Sequence, residues 1–118
     1  MEIKSLVEKC IKSSIEYGAA AFEVVENSRK TNRLYDNNFK NFKTLKSLGK
    51  KGIDEIEKLL EYPNDYVKYC SAVHFLSVKE EKAKIVLKQL IDKTQTFGFS
   101  VKMLIKEWDK GNLKDYLS

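Results

Sequence analysis

The chain has 118 residues, of which 42% are hydrophobic and 33% charged, and its formal net charge at pH 7 is +5. This length and composition are typical of one globular domain, residues 1–118, and exclude an intrinsically disordered chain. Two cysteines and one histidine argue against a disulfide framework and against a zinc site.

The N-terminal stretch carries a charge every few residues, which is not typical of a signal peptide. No run of apolar residues approaches the roughly 18 that a transmembrane helix requires. Together with the low cysteine content, these features predict a reduced, cytoplasmic location and no contact with a membrane.

Sparse glycine and proline favour an all-α chain, and the first predicted helix covers residues 2–26. Apolar and small residues recur there at spacings of three and four, which places them on one helical face. They are Ile3, Leu6, Val7, Cys10, Ile11, Ser14, Ile15 and Gly18. Gly18 either bends or splits this helix or allows another helix to cross it closely, and the sequence leaves these alternatives open.

A second helix is predicted from Ser28 to Leu48, with two distinct faces. The side predicted to be buried holds Tyr35, Phe39, Phe42, Leu45 and Leu48. The opposite side holds Arg29, Arg33, Lys40 and Lys43, with Asp36 among them. Residues 27–52 contain eight lysine and arginine residues but a single acidic one, so the excess positive charge of the chain lies in this segment.

A third helix over residues 53–61, preceded by a turn between Gly49 and Gly52, is predicted to end at Pro63. Proline lacks a backbone N–H and disfavours helical angles at the residue before it. Asn64 then follows as a predicted N-cap of the fourth helix. That helix is apolar on more than one side, so we expect other helices to cover it from more than one direction.

A fifth helix is predicted over residues 79–93, with Ser77 as its candidate cap. After a turn at residues 94–96, a last helix over residues 99–110 is predicted to bury Trp108 beside Val101 and Leu104. These elements predict a compact all-α domain of about six antiparallel helices.

The stretch from Leu59 to Leu76, LLEYPNDYVKYCSAVHFL, resembles a HEAT-type helical hairpin. Three segments, Asn32 to Asp36, the same hairpin corner, and Gly98 to Leu113, are similar to a small bacterial HEAT-like family catalogued as a domain of unknown function. The resemblance implies a HEAT-like array without an established activity. Some members lie in gene neighbourhoods that encode secreted toxins and their immunity proteins, so it also points to an immunity-type function.

The basic helix has three interpretations. Arg29, Arg33, Lys40 and Lys43 form a solvated face, or bind an acidic patch on another protein, or contact nucleic-acid phosphates. The aromatic residues of this helix repeat at core spacing, so we expect them to be buried rather than stacked on bases. An acidic protein partner therefore ranks above nucleic acid.

His74 lacks companions for catalysis or metal binding, so we expect a partly buried, hydrogen-bonded histidine. Cys10 and Cys70 fall on apolar faces and are expected in the core. Glycine-rich phosphate loops and the HExxH, GxSxG and CxxC motifs are absent from the sequence, so no enzyme activity, cofactor or metal is predicted.

Trp108 packs on an apolar face, and an exposed edge of its ring would be the best candidate for an interface anchor. Tyr62, in the turn before Pro63, is the next candidate. The sequence therefore predicts a cytoplasmic protein-binding module that uses these two residues and the basic helix. The alternatives are a nucleic-acid-binding module on residues 29–51 and a HEAT-like enzyme that acts on damaged DNA bases, for which the chain is too short.

Overall fold

The computed structural model describes residues 2–23, 28–93 and 95–118, and these residues form helices without any strand. The helices are α1 (Ile3–Phe22), α2 (Ser28–Ser47), α3 (Lys50–Leu59), α4 (Asp65–Phe75), α5 (Glu80–Leu90), α6 (Gln95–Asp109) and α7 (Lys114–Leu117). The all-α prediction is confirmed. The HEAT-like arrangement of the helices stays a prediction.

The helix boundaries differ from the predicted ones in several places. The first turn of α3 begins at Lys50 and includes Gly52, α6 begins at Gln95, and the short α7 was not predicted. Residue 23 follows the end of α1, so the predicted extension of the first helix to residue 26 is wrong there, and residues 24–26 lie outside the described residues. The turn predicted at residues 94–96 is wrong for residues 95 and 96, which belong to α6, and residue 94 lies outside the described residues. Leu48 was predicted to be buried, but it follows the end of α2 and is 46% exposed.

The corner between α3 and α4 follows the predicted chemistry. The side-chain oxygen of Asn64 accepts hydrogen bonds from the backbone N–H groups of Tyr66 (2.9 Å) and Val67 (3.2 Å). Two N–H groups that the first turn of a helix leaves unpaired are thereby satisfied. By contrast, the residue that caps α5 is Lys79, without a side-chain bond. Ser77 instead donates a hydrogen bond to the carbonyl oxygen of Leu117 at 2.9 Å, so its predicted role as a cap is wrong.

The centre of the fold is α4, which contacts α1, α2, α3 and α5. It contributes six buried residues, which are Val67, Cys70, Ser71, Ala72, His74 and Phe75. The expectation that this helix is covered from several directions is confirmed.

Glycine allows three close approaches between neighbouring elements. A Cβ atom on Gly18 would lie 2.1 Å from Cγ of Tyr66, so the absence of a side chain lets α4 cross α1. α1 runs unbroken through Gly18, so the close crossing is the alternative that holds. At the corners, a Cβ on Gly52 would lie 1.7 Å from the Leu45 carbonyl oxygen, and one on Gly98 would lie 2.0 Å from that of Ile91. The starts of α3 and α6 therefore fold tightly onto the ends of the helices before them.

A buried polar network joins α1 to α2. The side-chain amide of Asn38 donates to the hydroxyl oxygens of Ser13 (2.9 Å) and Ser14 (3.0 Å). Asn41 donates to Ser13 at 3.2 Å. Because buried polar groups are costly when unpaired, this network favours one register between the two helices.

Candidate functional site

The two faces of α2 are as different in the structure as the sequence predicts. Phe42 and Leu45 are fully buried, and Tyr35 and Phe39 are half-buried. The opposite face is exposed along its whole length and carries the residues Arg29, Arg33, Lys40 and Lys43. With a rise of 1.5 Å per residue, these four side chains span about 21 Å of helix. We call this set of four residues the basic face.

Among the described residues, no acidic side chain forms an ion pair with the basic face. Arg29, Arg33 and Lys40 form no ion pair with any described residue. Lys43 donates a hydrogen bond to the carbonyl oxygen of Ser118 at 3.2 Å, and its ammonium lies 5.9 Å from the centre of the Phe39 ring. No described aspartate or glutamate side chain forms an ion pair with Lys43. The basic face therefore projects a positive field into solvent.

The aromatic residues of α2 point away from the basic face. The ring of Tyr35 lies 5.5 Å from that of Tyr17, and the ring of Phe39 lies 4.6 Å from that of Tyr116. Phe42 stacks on His74 at 4.9 Å with an interplanar angle of 4°. These rings are engaged in packing, and the ring beside the basic face, that of Phe39, is already in contact with Lys43 and Tyr116.

A polar groove of about 540 Å³ runs between α1 and α2 along one edge of the basic face. Lysines line it from both helices, namely Lys9 and Lys12 of α1 and Lys40 of α2. Asn41 and Ser13 lie at its base, where they belong to the buried network. The groove therefore offers amide and ammonium donors next to the exposed charges, together with one carboxylate, that of Glu16.

A second cleft, of about 490 Å³, lies on the other side of α2 beneath the C-terminal residues. Lys46 is half-buried in it and donates hydrogen bonds to the Leu117 carbonyl oxygen and to the hydroxyl of Ser77 (2.6 Å). Burial, followed by the charge of Lys43, lowers the pKa of Lys46 to about 8. Lys46 and Lys43 therefore fasten the end of α7 against α2.

The docking of α7 was not predicted from the sequence. Leu117 is buried, and the hydroxyl groups of Tyr116 and Tyr35 are 2.6 Å apart. The spacing of Leu113, Tyr116 and Leu117 at three and four residues is the one signal that could have predicted it.

The two aromatic candidates are less available than the basic residues. Trp108 is only 5% exposed and packs in the core, so it cannot act as an exposed interface anchor. Tyr62 is half-buried and also packs against the core. The basic face is thus the part of the predicted site that solvent reaches freely.

The remaining reactive side chains are buried. His74 is 3% exposed, so it is buried and not partly buried as expected. Its Nδ1 atom has no hydrogen-bond partner among the described residues, so the expectation of a hydrogen-bonded histidine is wrong for this atom. Burial, followed by the charges of Lys46 and Lys43, lowers the pKa of His74 to about 3. Cys10 and Cys70 are free and buried, as predicted, and burial raises the pKa of each thiol to about 12.

Within the described ranges, no group of three or more histidine, cysteine, aspartate or glutamate side chains could hold a metal ion. The same ranges contain no helix with the length and apolarity needed to cross a bilayer. No protein-family model matches the chain, and no curated protein or solved structure is significantly similar to it. The function has to be inferred from the residues and their geometry.

Proposed function

We propose that the chain is a non-enzymatic, cytoplasmic protein-binding module whose basic face docks on an acidic surface of another protein. The observation that carries the proposal is the exposed row of Arg29, Arg33, Lys40 and Lys43, three of which have no ion pair with the described residues. Such a row attracts an acidic partner from a distance and raises the rate of association.

The position of the positive charges on α2 supports a role in binding rather than in stability. The first turn of α2 carries no acidic residue, and Arg29 and Lys30 occupy it. Positive charge near a helix N-terminus opposes the helix dipole and costs a few tenths of a kcal/mol or more. The presence of Arg29 in the basic face is therefore not explained by helix stability.

The orientation of the aromatic residues favours a protein partner over nucleic acid. Modules that bind single strands combine positive charge with aromatic rings on which bases stack. In α2 the rings of Phe39 and Phe42 are occupied by contacts with Tyr116 and His74. The side-chain amide of Asn37, which lines the groove beside Lys40, can donate hydrogen bonds to the carboxylates or carbonyls of a protein surface.

One biological form of this function is the occlusion of a cognate toxin, as the resemblance to the HEAT-like family implies. An immunity or antitoxin-type protein needs a charged, rigid surface that covers the toxin, and the basic face on a 20-residue helix would serve as such a surface.

The test is a pull-down from the native cell with three baits, with and without nuclease treatment, at low and at moderate salt. The baits are the wild type, the double variant Arg33→Glu/Lys40→Glu, and the control Lys4→Glu/Lys88→Glu. All four substituted residues are exposed, and both variants change the net charge by the same amount. Surface substitutions of this kind usually change stability by less than about 0.5 kcal/mol, so loss of folding is not expected.

We expect a stoichiometric protein to bind the wild type and the control but not the Arg33→Glu/Lys40→Glu bait. Equal recovery of the partner protein by all three baits would show that the basic face is not part of the interface. Recovery of nucleic acid alone, lost with nuclease and falling steeply as salt rises, would replace the proposal with nucleic-acid binding.

A further inference from the structure

The outer face of α6 carries two large apolar side chains that the fold leaves uncovered. Phe99 is 64% exposed and Met103 is 39% exposed, and they lie one turn apart. The inner face of the same helix packs in the core through Phe97, Val101 and Trp108. Phe99 and Met103 therefore contribute little to the fold, and residues four positions apart on a helix lie next to each other on its surface.

Three lysines run beside this apolar pair at intervals of four residues. Lys102, Lys106 and Lys110 are all exposed. Lys102 and Lys106 form no ion pair with the described residues, and Lys110 approaches Glu107 only at 3.9 Å. The two apolar side chains and the three lysines thus each form a row of residues four positions apart, and such rows are the ridges of a helix surface.

The two ridges define a shallow track on the surface of α6. One ridge is apolar, Phe99 and Met103, and the neighbouring one is cationic, Lys102, Lys106 and Lys110. From Phe99 to Lys110 the track is about 16 Å long, which equals three turns of a partner helix. A partner helix that lies along this track can bury one apolar side chain against the ring of Phe99. Its residues three or four positions from that apolar side chain then lie opposite the lysines.

The charges decide which occupant fits this track. A second copy of the chain packed through the same face would bring lysines against lysines, and like charges in contact are unfavourable. A bilayer would receive two largely exposed apolar side chains, because Phe97, Val101 and Trp108 are buried in the core and Leu104 and Ile105 are partly buried against it. An amphipathic helix with apolar and acidic residues can contact the apolar ridge and the cationic ridge at the same time.

We infer that the outer face of α6 is a second docking site, which binds an acidic amphipathic helix presented by a partner protein. The helix places an apolar residue between Phe99 and Met103 and aspartate or glutamate side chains opposite Lys102, Lys106 and Lys110. This inference does not depend on the basic face, because it concerns a different helix and different residues.

The experiment is selection from a display library of helical peptides, with the Arg33→Glu/Lys40→Glu variant as bait. Reversing two charges of the basic face removes acidic peptides that would bind there. Enriched peptides are then measured against three forms of this bait, which carry Phe99→Ser, Lys106→Glu or the control Ile85→Ser. Ile85 is 59% exposed on α5 and therefore matches Phe99 as an exposed apolar side chain.

We expect the selected peptides to have apolar residues at a spacing of three or four with acidic residues between them. Phe99→Ser and Lys106→Glu should each weaken binding about tenfold or more, and Ile85→Ser should leave it unchanged. Amide chemical shifts in NMR spectra should change along α6.

Three outcomes would overturn the inference. The first is a selection that yields no binder, and the second is a set of binders without acidic residues or indifferent to Phe99→Ser. The third is binding of the bait to vesicles of anionic phospholipid that is lost in Phe99→Ser, which would assign the face to a membrane surface. Circular dichroism of each variant separates these outcomes from unfolding, which is not expected because the substituted side chains are exposed.

Discussion

Replacing Gly18 with alanine tests the close crossing of α1 and α4 directly. In a helix interior, alanine is normally more favourable than glycine by about 0.5–1 kcal/mol. In this helix the added Cβ would lie 2.1 Å from Cγ and 2.6 Å from Cβ of Tyr66. The Cβ of Tyr66 is fixed to its backbone, so rotation of the ring cannot relieve the overlap, and the two helices have to move apart.

Overpacking of this kind costs about 1–3 kcal/mol, which exceeds the gain in helix propensity. We therefore expect Gly18→Ala to lower the free energy of unfolding by about 1–2 kcal/mol, measured by urea denaturation. In a Tyr66→Gly background the obstructing atoms are absent. There the same Gly18→Ala substitution should stabilise the chain by about 0.5–1 kcal/mol, so the sign of its effect should reverse.

The control is Tyr66→Phe, which keeps the ring and removes only the hydroxyl that donates to Glu23 at 2.8 Å. Gly18→Ala should remain destabilising in that background. A stabilising effect in the wild type, or the same effect in all three backgrounds, would refute the steric account of this glycine.

Three other substitutions test the fold and the site. His74→Leu should stay within about 1 kcal/mol of the wild type at pH 7, because it removes an unpaired buried nitrogen as well as a ring contact with Phe42. The pKa of His74 is about 3 in the fold and near 6.5 when unfolded, so stability is complete above pH 6.5 and falls as the pH drops towards 3. The free energy of unfolding, measured in urea titrations, should therefore fall by about 2 kcal/mol between pH 7 and pH 5, and this fall should disappear in His74→Leu. The same pH dependence in His74→Leu would show that other groups cause it. Asn64→Ala should lower the free energy of unfolding by about 1 kcal/mol, since two N–H groups lose their acceptor, whereas an unchanged urea midpoint would mean that water replaces the cap. Arg33→Glu should leave the urea midpoint nearly unchanged while weakening partner binding in a salt-dependent way; a large loss of stability would show that the exposed face is structural.

Local chemistry explains which parts of the fold the sequence could predict. The cap at Asn64 depends on two neighbouring residues, Pro63 and Asn64, and it forms as expected. The two faces of α2 follow from the helical period alone, so the exposure of Arg33 and the burial of Phe42 were both predictable.

Features that depend on contacts between distant segments were not predictable. The four-residue α7 is too short to be stable alone, and it forms where Leu117 and Tyr116 meet α2, more than 70 residues earlier in the chain. The periodicity placed Trp108 on a buried face, but whether its ring edge reached solvent depended on the helices around α6. The position of Gly18 within the first helix indicated either a kink or a close helix crossing. Only the contact with Tyr66 of α4 shows that the crossing is correct.

The two buried thiols give this chain an internal stability probe that requires no denaturant. A cysteine thiolate attacks the sulfur of a disulfide reagent and displaces its leaving thiolate, and burial keeps both Cys10 and Cys70 protonated and inaccessible in the folded state. Labelling can then proceed only through molecules in which α1 or α4 has transiently opened. The rate of labelling at each cysteine in plain buffer therefore reports how often these two central helices separate.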